Sequence, residues 1–142
     1  MIAYLDSSVI LRVVLGQPAP LAEWKAVLHG VTSGLAEVEC LRTMDRLRLL
    51  GELTAEESAS GREAIFRIME ALEVVELSSA VMRRASQPMP TPLGTLDAIH
   101  LATADLWREG RGKDPIVATH DRALALAARA SGFRVLGSLL SS

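Results

Sequence analysis

The chain has 142 residues and a net charge of −2, from 15 basic and 17 acidic residues. Hydrophobic residues make up 49% of it and charged residues 23%, which indicates an ordinary globular protein and excludes a disordered one. This charge balance provides no overall attraction to nucleic acid or to an acidic membrane. Aromatic residues, at 4%, are fewer than base-stacking single-strand binders usually need. We expect a single domain over residues 1–142.

Cysteine usage and apolar segments predict the compartment. The single cysteine, Cys40, excludes an intramolecular disulfide and a cysteine-based zinc site, and it fits a reducing cytosol. The amino terminus has no basic segment before its apolar run, so we expect no signal peptide. Since no apolar run reaches membrane-spanning length, we expect a cytoplasmic protein without membrane contact.

The first fifteen residues predict a strand, a polar break and a helix. The apolar run 2–5 is too short for a helix and stops at Asp6, and an apolar pattern resumes at Val9. We expect Ser7 or Ser8 to cap the helix. Asp6 would then lie at the carboxyl end of a strand, where open α/β sheets bind ligands. A helix cap and a metal ligand are both open roles for it, and this stretch alone favours the cap.

The middle of the chain is predicted to be mainly helical. The predicted elements are a helix over 21–29, a short strand at 31–32, a helix over 35–50 and a helix over 54–72. Ser33 is the expected cap of the third element, and Gly51 is expected to end it. Thr54 and Glu57 have the spacing of a capping box. The last two helices should therefore form a helical hairpin.

The second half alternates strands and helices. The predicted elements are a strand over 73–77, a helix over 78–85, a proline-rich loop over 87–94, a helix over 96–109 capped by Thr95, a strand over 116–119, a helix over 122–131 and a strand over 134–136. This order predicts an α/β fold with a parallel sheet of four to five short strands flanked by helices.

Two further aspartates occupy positions of interest. Asp121 repeats the situation of Asp6, because it directly follows a predicted strand and precedes a helix. Taken alone it is again best explained as a cap, but two strand-end carboxylates on one parallel sheet can face the same crevice. Asp97 lies in the first turn of LDAIHLATADLW, a helix that is apolar almost all round. A carboxylate in a buried turn needs a cation or hydrogen-bond donors, so a functional role is favoured for Asp97.

Two glutamates in the helix after Ser33 compete for one role. Glu37 and Glu39 are two residues apart, about 200° around a helix, so they project to opposite faces and only one can join a site. Periodicity leaves the choice open, and a surface ion pair with Arg42 is the alternative role for Glu39.

Four motifs together resemble a known family. They are YLDSSVIL, SGLAEVECLR, TLDAIHLATA and VATHDRALALAARASGFRVL, and in this order they resemble PIN-domain ribonucleases, in particular the VapC toxins of bacterial toxin–antitoxin pairs. The resemblance covers nearly the whole chain and implies a three-layer α/β/α fold. It implies an acidic site at Asp6, Glu39, Asp97 and Asp121, and its spacing from Ser33 selects Glu39 over Glu37. His120 stands where relatives often have Tyr or Asn.

The resemblance also implies a chemistry. Carboxylate oxygens suit Mg²⁺, with Mn²⁺ as a substitute, and one or two such ions can activate water for hydrolysis of a phosphodiester. We expect Asp6 and Asp97 to contact the metal directly, and Glu39 and Asp121 to act through water or a second ion. Ser8 would orient Asp6 or a metal-bound water, or cap the helix. His100, three residues after Asp97, could approach the mouth of the site, but the favoured interpretation is a half-buried helix residue.

The function that follows is a metal-dependent endoribonuclease, the toxin component of a type II toxin–antitoxin system. The implied partners are an RNA substrate, a VapB-like antitoxin and a second copy of the chain. The alternative is a PIN-like module that binds RNA or protein without cleaving. A phosphatase acting through a phosphorylated aspartate is disfavoured, because Asp6 is followed by two serines and lysine is almost absent.

Overall fold

The computed structural model describes residues 1–138. Its strands are β1 (Ile2–Leu5), β2 (His29–Ser33), β3 (Glu73–Val75), β4 (Ile116–Ala118) and β5 (Val135–Leu136). Its α-helices are α1 (Ser7–Val14), α2 (Gly34–Leu49), α3 (Ala55–Ala71), α4 (Ser79–Ala85), α5 (Thr95–Arg111) and α6 (Arg122–Ala130). The strands form one parallel sheet in the order β3-β2-β1-β4-β5. The predicted parallel sheet is confirmed.

Helices cover both faces of this sheet. Alternate residues of a strand point to opposite faces. On one face, Tyr4, Val31 and Val117 cluster with buried residues of α5 and α6. On the other, Ala3, Leu5 and Ala118 cluster with Val9 of α1. Helix α1 in turn packs against the hairpin of α2 and α3 through the apolar cluster Ile10, Ala36, Cys40, Met44, Ile65 and Met69. The predicted three-layer α/β/α fold with a helical hairpin is confirmed.

The residues predicted to cap and to end the helices of the hairpin are confirmed. Ser33 caps α2 by accepting from the Leu35 N–H at 3.0 Å. Thr54 and Glu57 form the capping box at the start of α3, with both hydrogen bonds present. Gly51, with φ +75°, follows α2 in the left-handed region that favours glycine.

The predicted helix over residues 21–29 is wrong. This segment contains only a short 3₁₀ turn at Trp24–Ala26, and β2 already begins at His29. The N–H groups of Leu28 and His29 donate to the Met1 carbonyl, and His29 pairs with Ile2 of β1. A helix of nine residues leaves four N–H and four C=O groups without partners at its ends and is only marginally stable. Pairing with the sheet gives the backbone groups at the end of this segment partners instead.

Two predicted caps are also wrong. Asp6, and neither Ser7 nor Ser8, caps α1 by accepting from the Val9 N–H. Thr95 is the first residue of α5, whose cap position is Gly94 and carries no side-chain cap bond.

No helix among residues 1–138 combines the length and the apolar content that crossing a membrane requires.

Candidate active site

Asp6 is held at the carboxyl end of β1 by three hydrogen bonds. Its Oδ1 accepts from Ser8 Oγ at 2.6 Å and from the Val9 N–H at 3.3 Å, and its Oδ2 accepts from Thr119 Oγ1 at 2.6 Å. The residue is only 3% exposed. Burial raises the pKa of Asp6 above its ordinary value, while the hydrogen bonds from Ser8 and Thr119 oppose that rise.

Thr119 joins the ends of two neighbouring strands. β1 and β4 pair with Leu5 opposite Ala118, so Asp6 and Thr119 are the first residues beyond each strand. Besides donating to Asp6, Thr119 Oγ1 accepts the Asp121 N–H at 2.9 Å. Ser8 Oγ similarly accepts the His120 N–H at 2.9 Å. These bonds connect the loop after β4 to the Asp6 carboxylate and fix where Asp121 begins α6.

Asp121 caps α6, because its Oδ1 accepts the Leu124 N–H at 2.9 Å. A carboxylate has about four lone-pair sites on its two oxygens. The capping bond therefore leaves Oδ2 of Asp121 for another donor or a cation. The sequence left helix cap and site residue as alternative roles for Asp6 and Asp121. In the structure, each aspartate can fill both roles at once.

Asp97 lies in the first turn of α5 and is half-buried. Burial, together with the negative charges of Asp121, Asp6 and Glu39, raises the pKa of Asp97 from its ordinary value of 3.8 to about 6. Charges affect a pKa strongly only at short range. The charges of the three other predicted acidic residues thus act on Asp97, and we refer to Asp6, Glu39, Asp97 and Asp121 as the acidic cluster.

Glu39 reaches this cluster from α2 through a contact with His100. Its Oε1 lies 2.6 Å from His100 Nε2, and the His100 Nδ1 lies 2.7 Å from the Tyr4 hydroxyl. His100 is 1% exposed, so the expectation of a half-buried residue is wrong. The ion pair with Arg42, the alternative role considered for Glu39, does not form, since Arg42 pairs with Asp45 instead.

Cys40, the neighbour of Glu39, is not a nucleophile in this setting. Its side chain is buried, and burial together with the charges of Glu39 and Asp6 raises the pKa of the thiol to about 12. A thiol with such a pKa stays protonated near neutral pH and is inert.

Among residues 1–138, no group of three or more His, Cys, Asp or Glu side chains is arranged closely enough to hold a metal ion by itself. Mg²⁺ usually takes one or two carboxylates and keeps several waters, so Asp6 and one further carboxylate form a donor set that suits it. Asp6 Oδ2 accepts one hydrogen bond and so retains a lone pair for a cation.

The sequence and the fold match known proteins. The family model described as "PIN domain" matches residues 3–130. The chain belongs to the PIN-domain family. It is 30% identical over 136 residues to Ribonuclease VapC46 of Mycobacterium tuberculosis, a match that covers 94% of this chain and 95% of that protein. It is also 30% identical over 139 residues to Ribonuclease VapC35 of the same organism, over 94% of each chain. This PIN domain is therefore of the VapC type.

Solved structures agree with this assignment at the level of the fold. FitAcB from Neisseria gonorrhoeae superposes with a TM-score of 0.70 at 18% identity, covering 95% of this chain and 96% of that one. VapBC2 from Rickettsia felis bound to a promoter DNA fragment superposes with a TM-score of 0.67 at 9% identity, over 95% and 97% of the two chains.

Two contacts of this PIN domain were missed by sequence reasoning. Thr119 donates to Asp6 directly, whereas the sequence predicted Thr119 only as the last residue of a strand and did not predict that this strand pairs with β1. The link from His100 to Glu39 spans 61 positions along the chain, and no local pattern indicates it. His100 is, however, one helical turn from Asp97, which places it on the same side of α5.

Proposed function

We propose that this PIN domain is a cation-dependent endoribonuclease and the toxin component of a type II toxin–antitoxin system. The observation that carries the proposal is the electrostatic state of Asp97, whose pKa is raised to about 6 by burial and by three other carboxylates. Four carboxylates grouped without an Arg or Lys partner among residues 1–138 form a site that a cation would stabilise.

In this proposal Asp6 and Asp97 hold Mg²⁺ or Mn²⁺ directly. When bound, the cation supplies an activated water and offsets the charge that develops on the phosphodiester. Ser8 and Thr119 keep the Asp6 carboxylate in one orientation, and the start of α5 fixes Asp97 relative to it. Glu39 and Asp121 accept hydrogen bonds from waters around the cation or contribute to a second cation site.

RNA is the substrate that we assign, and the names of the two relatives support it. Both are ribonucleases at 30% identity over 94% of this chain. The chain contributes 13 arginines and two lysines, and arginine suits phosphate contacts. Because the net charge is −2, the protein as a whole does not attract RNA. In this proposal, RNA is held by the local arrangement of arginine and lysine side chains.

We further propose a VapB-like antitoxin and a homodimer. A similar fold occurs in VapBC-5 of Mycobacterium tuberculosis, a member of the VapBC family of toxin–antitoxin systems. The chain also exposes large apolar side chains that a partner would cover, among them Leu28, Val38, Leu49, Leu50, Leu96 and Leu126. An antitoxin guanidinium entering the acidic cluster would bind carboxylates bidentately and compete with Mg²⁺. A monomer in solution that is toxic alone and needs no inhibitor would contradict this part.

The test of the catalytic proposal is cleavage of RNA by purified protein with Mg²⁺, with EDTA, and with EDTA followed by excess Mn²⁺. We expect cleavage with Mg²⁺, none with EDTA, and recovery with Mn²⁺. Cleavage that persists in EDTA would overturn the role of the cation. RNA that is retained in a gel-shift assay but never cut would favour the alternative, a binding module without nuclease activity.

A further inference from the structure

A chain of three side chains connects the sheet core to the acidic cluster. The Tyr4 hydroxyl lies 2.7 Å from Nδ1 of His100, and Nε2 of His100 lies 2.6 Å from Oε1 of Glu39. Tyr4 and His100 are each 1% exposed, and their rings meet edge to face at a centroid distance of 5.9 Å. Glu39 is the outer member, with a side chain that is 21% exposed.

The partners of His100 favour one tautomer of its ring. An ionised carboxylate only accepts hydrogen bonds, so the nitrogen facing Glu39 must carry its proton. A phenolic hydroxyl keeps its proton near neutral pH, and that of Tyr4 lies within hydrogen-bond distance of Nδ1 and can donate to it. Both hydrogen bonds then form with a neutral ring in the Nε2–H tautomer. The hydrogen bond that Nδ1 accepts from Tyr4 leaves the ring proton on Nε2, where it faces Glu39.

We propose that His100 is a positioning residue that aims the Glu39 carboxylate at the acidic cluster, and that Tyr4 fixes the tautomer in which His100 can donate. The inference rests on the proposed function, because it assigns Glu39 to the cation site. His100 is one helical turn from Asp97, so the ring connects an acid of α2 to the helix that carries another acid of the cluster.

A neutral donor suits this position better than a cation would. The bond to Nε2 uses one oxygen of Glu39 and restrains its rotation, while the charge of the carboxylate stays available to the site. A guanidinium in the same place would offset that charge, as Arg111 does for Glu73 elsewhere in the fold. Partners of ligating groups typically change metal affinity or activity about 10- to 100-fold when they are removed.

The test compares two amides that imitate different ring nitrogens. The His100→Gln side chain places an amide N–H near Nε2 and can still donate to Glu39, whereas that of His100→Asn reaches only the Nδ1 position. We expect His100→Asn to weaken Mn²⁺ binding, measured by calorimetry, about 10- to 100-fold and to lower RNA cleavage similarly. His100→Gln should stay close to wild type, and Tyr4→Phe should fall between the two.

A second measurement addresses the tautomer in the wild-type protein. Histidine ¹⁵N–¹H correlation spectra of the metal-free protein should show the His100 proton on Nε2 and none on Nδ1. A proton on Nδ1, or equal Mn²⁺ affinities for folded His100→Gln and His100→Asn proteins, would overturn the inference. If either variant fails to fold, the spectra and Tyr4→Phe still decide. If the affinities follow the expected order but wild-type protein cleaves no RNA, the proposed function fails and the positioning role stands.

Discussion

Helix α5 has a group of polar side chains near each end, and the two groups differ in their partners. Near its start, Asp97 shares a cluster with Asp6, Glu39 and Asp121, and the pKa of Asp97 is raised to about 6 by burial and like charges. About 15 to 21 Å further along the helix, Trp107 and Arg111 both donate to Oε2 of one carboxylate, Glu73.

The Glu73 group satisfies its carboxylate completely. Besides the bonds from Trp107 Nε1 at 2.9 Å and Arg111 at 2.6 Å, Oε1 of Glu73 contacts His29 Nε2 at 2.9 Å. Burial alone would raise the pKa of Glu73, but the hydrogen bonds from Trp107 and His29 and the charge of Arg111 lower it overall. This carboxylate joins β3 to β2 and α5 as a structural contact.

The comparison separates two uses of the same chemical group. A carboxylate that the fold supplies with donors and a cation stabilises the fold, whereas carboxylates that are grouped without a cation cost stability and are kept for a ligand. Substitutions in the Asp97 group and in the Glu73 group should therefore have opposite consequences for activity and stability.

The largest effect is expected from Asp97→Asn. The amide has the same shape but loses the charge that holds the cation, so cleavage of RNA should fall by more than about 100-fold. The fold should be kept or slightly stabilised, since one of four like charges disappears. Cleavage assays and thermal unfolding by circular dichroism would measure both. Substantial metal-dependent cleavage by a folded Asp97→Asn protein would remove Asp97 from the site.

The next effect concerns the two glutamates of α2. Glu39→Gln should lower cleavage by about 10- to 100-fold, because its carboxylate reaches the cluster through His100. Glu37→Gln is the matched control on the opposite side of the same helix and should cleave like wild type. Equal losses in the two variants, or a larger loss in Glu37→Gln, would show that the glutamate of the site is misassigned.

A smaller effect on stability alone is expected from Glu73→Gln. The amide cannot accept from all three donors, which should cost about 1 kcal/mol and lower the melting temperature by about 3 °C. Cleavage should be unchanged, since Glu73, in β3, contacts α5 at the end away from Asp97. A loss of cleavage at a temperature where the variant is fully folded would break the separation between the two groups.

The smallest effect is a pair of opposite pH dependences in the metal-free protein. The pKa of Asp97 is raised from 3.8 to about 6, so the folded state binds more protons than the unfolded state in that window and stability should fall as pH rises through it. The pKa of Glu73 is lowered from 4.5, so its contribution is present above that pH and is lost as pH falls.

Urea unfolding in EDTA between pH 3.5 and 7 would resolve these dependences. Asp97→Asn should reduce the slope between about pH 4 and 6, with some slope left because the pKa of Asp6 is raised too. Glu73→Gln should reduce the slope below 4.5 only. A rise in stability from pH 4 to 6 that depends on Asp97 would contradict the sign.

Local signals predicted the sheet and most of the helices, because strand ends, capping residues and glycine stops act within a few residues. The capping box at Thr54 and the strand that ends before Asp6 are of this kind. The segment 21–29 failed because its outcome depends on pairing with β1, which no local pattern shows.

The acidic residues of the site were predicted from the sequence, but the hydrogen bonds that orient them were not. Asp6, Glu39, Asp97 and Asp121 were identified from motifs, and the fold groups them electrostatically. The side chains that orient Asp6 and Glu39 come from distant parts of the chain. Thr119 lies 113 positions from Asp6, and His100 lies 61 positions from Glu39. Only the packing of strands and helices brings such partners together.

The measurement that tests the central claim most directly is calorimetric titration of Mn²⁺ into wild-type, Asp97→Asn and Glu73→Gln proteins in one buffer near neutral pH. The account predicts saturable binding by wild type, the same affinity for Glu73→Gln, and loss of at least about 100-fold for Asp97→Asn. Equal binding by all three proteins, or a loss confined to Glu73→Gln, would contradict the claim that the carboxylates at the start of α5 are the cation site.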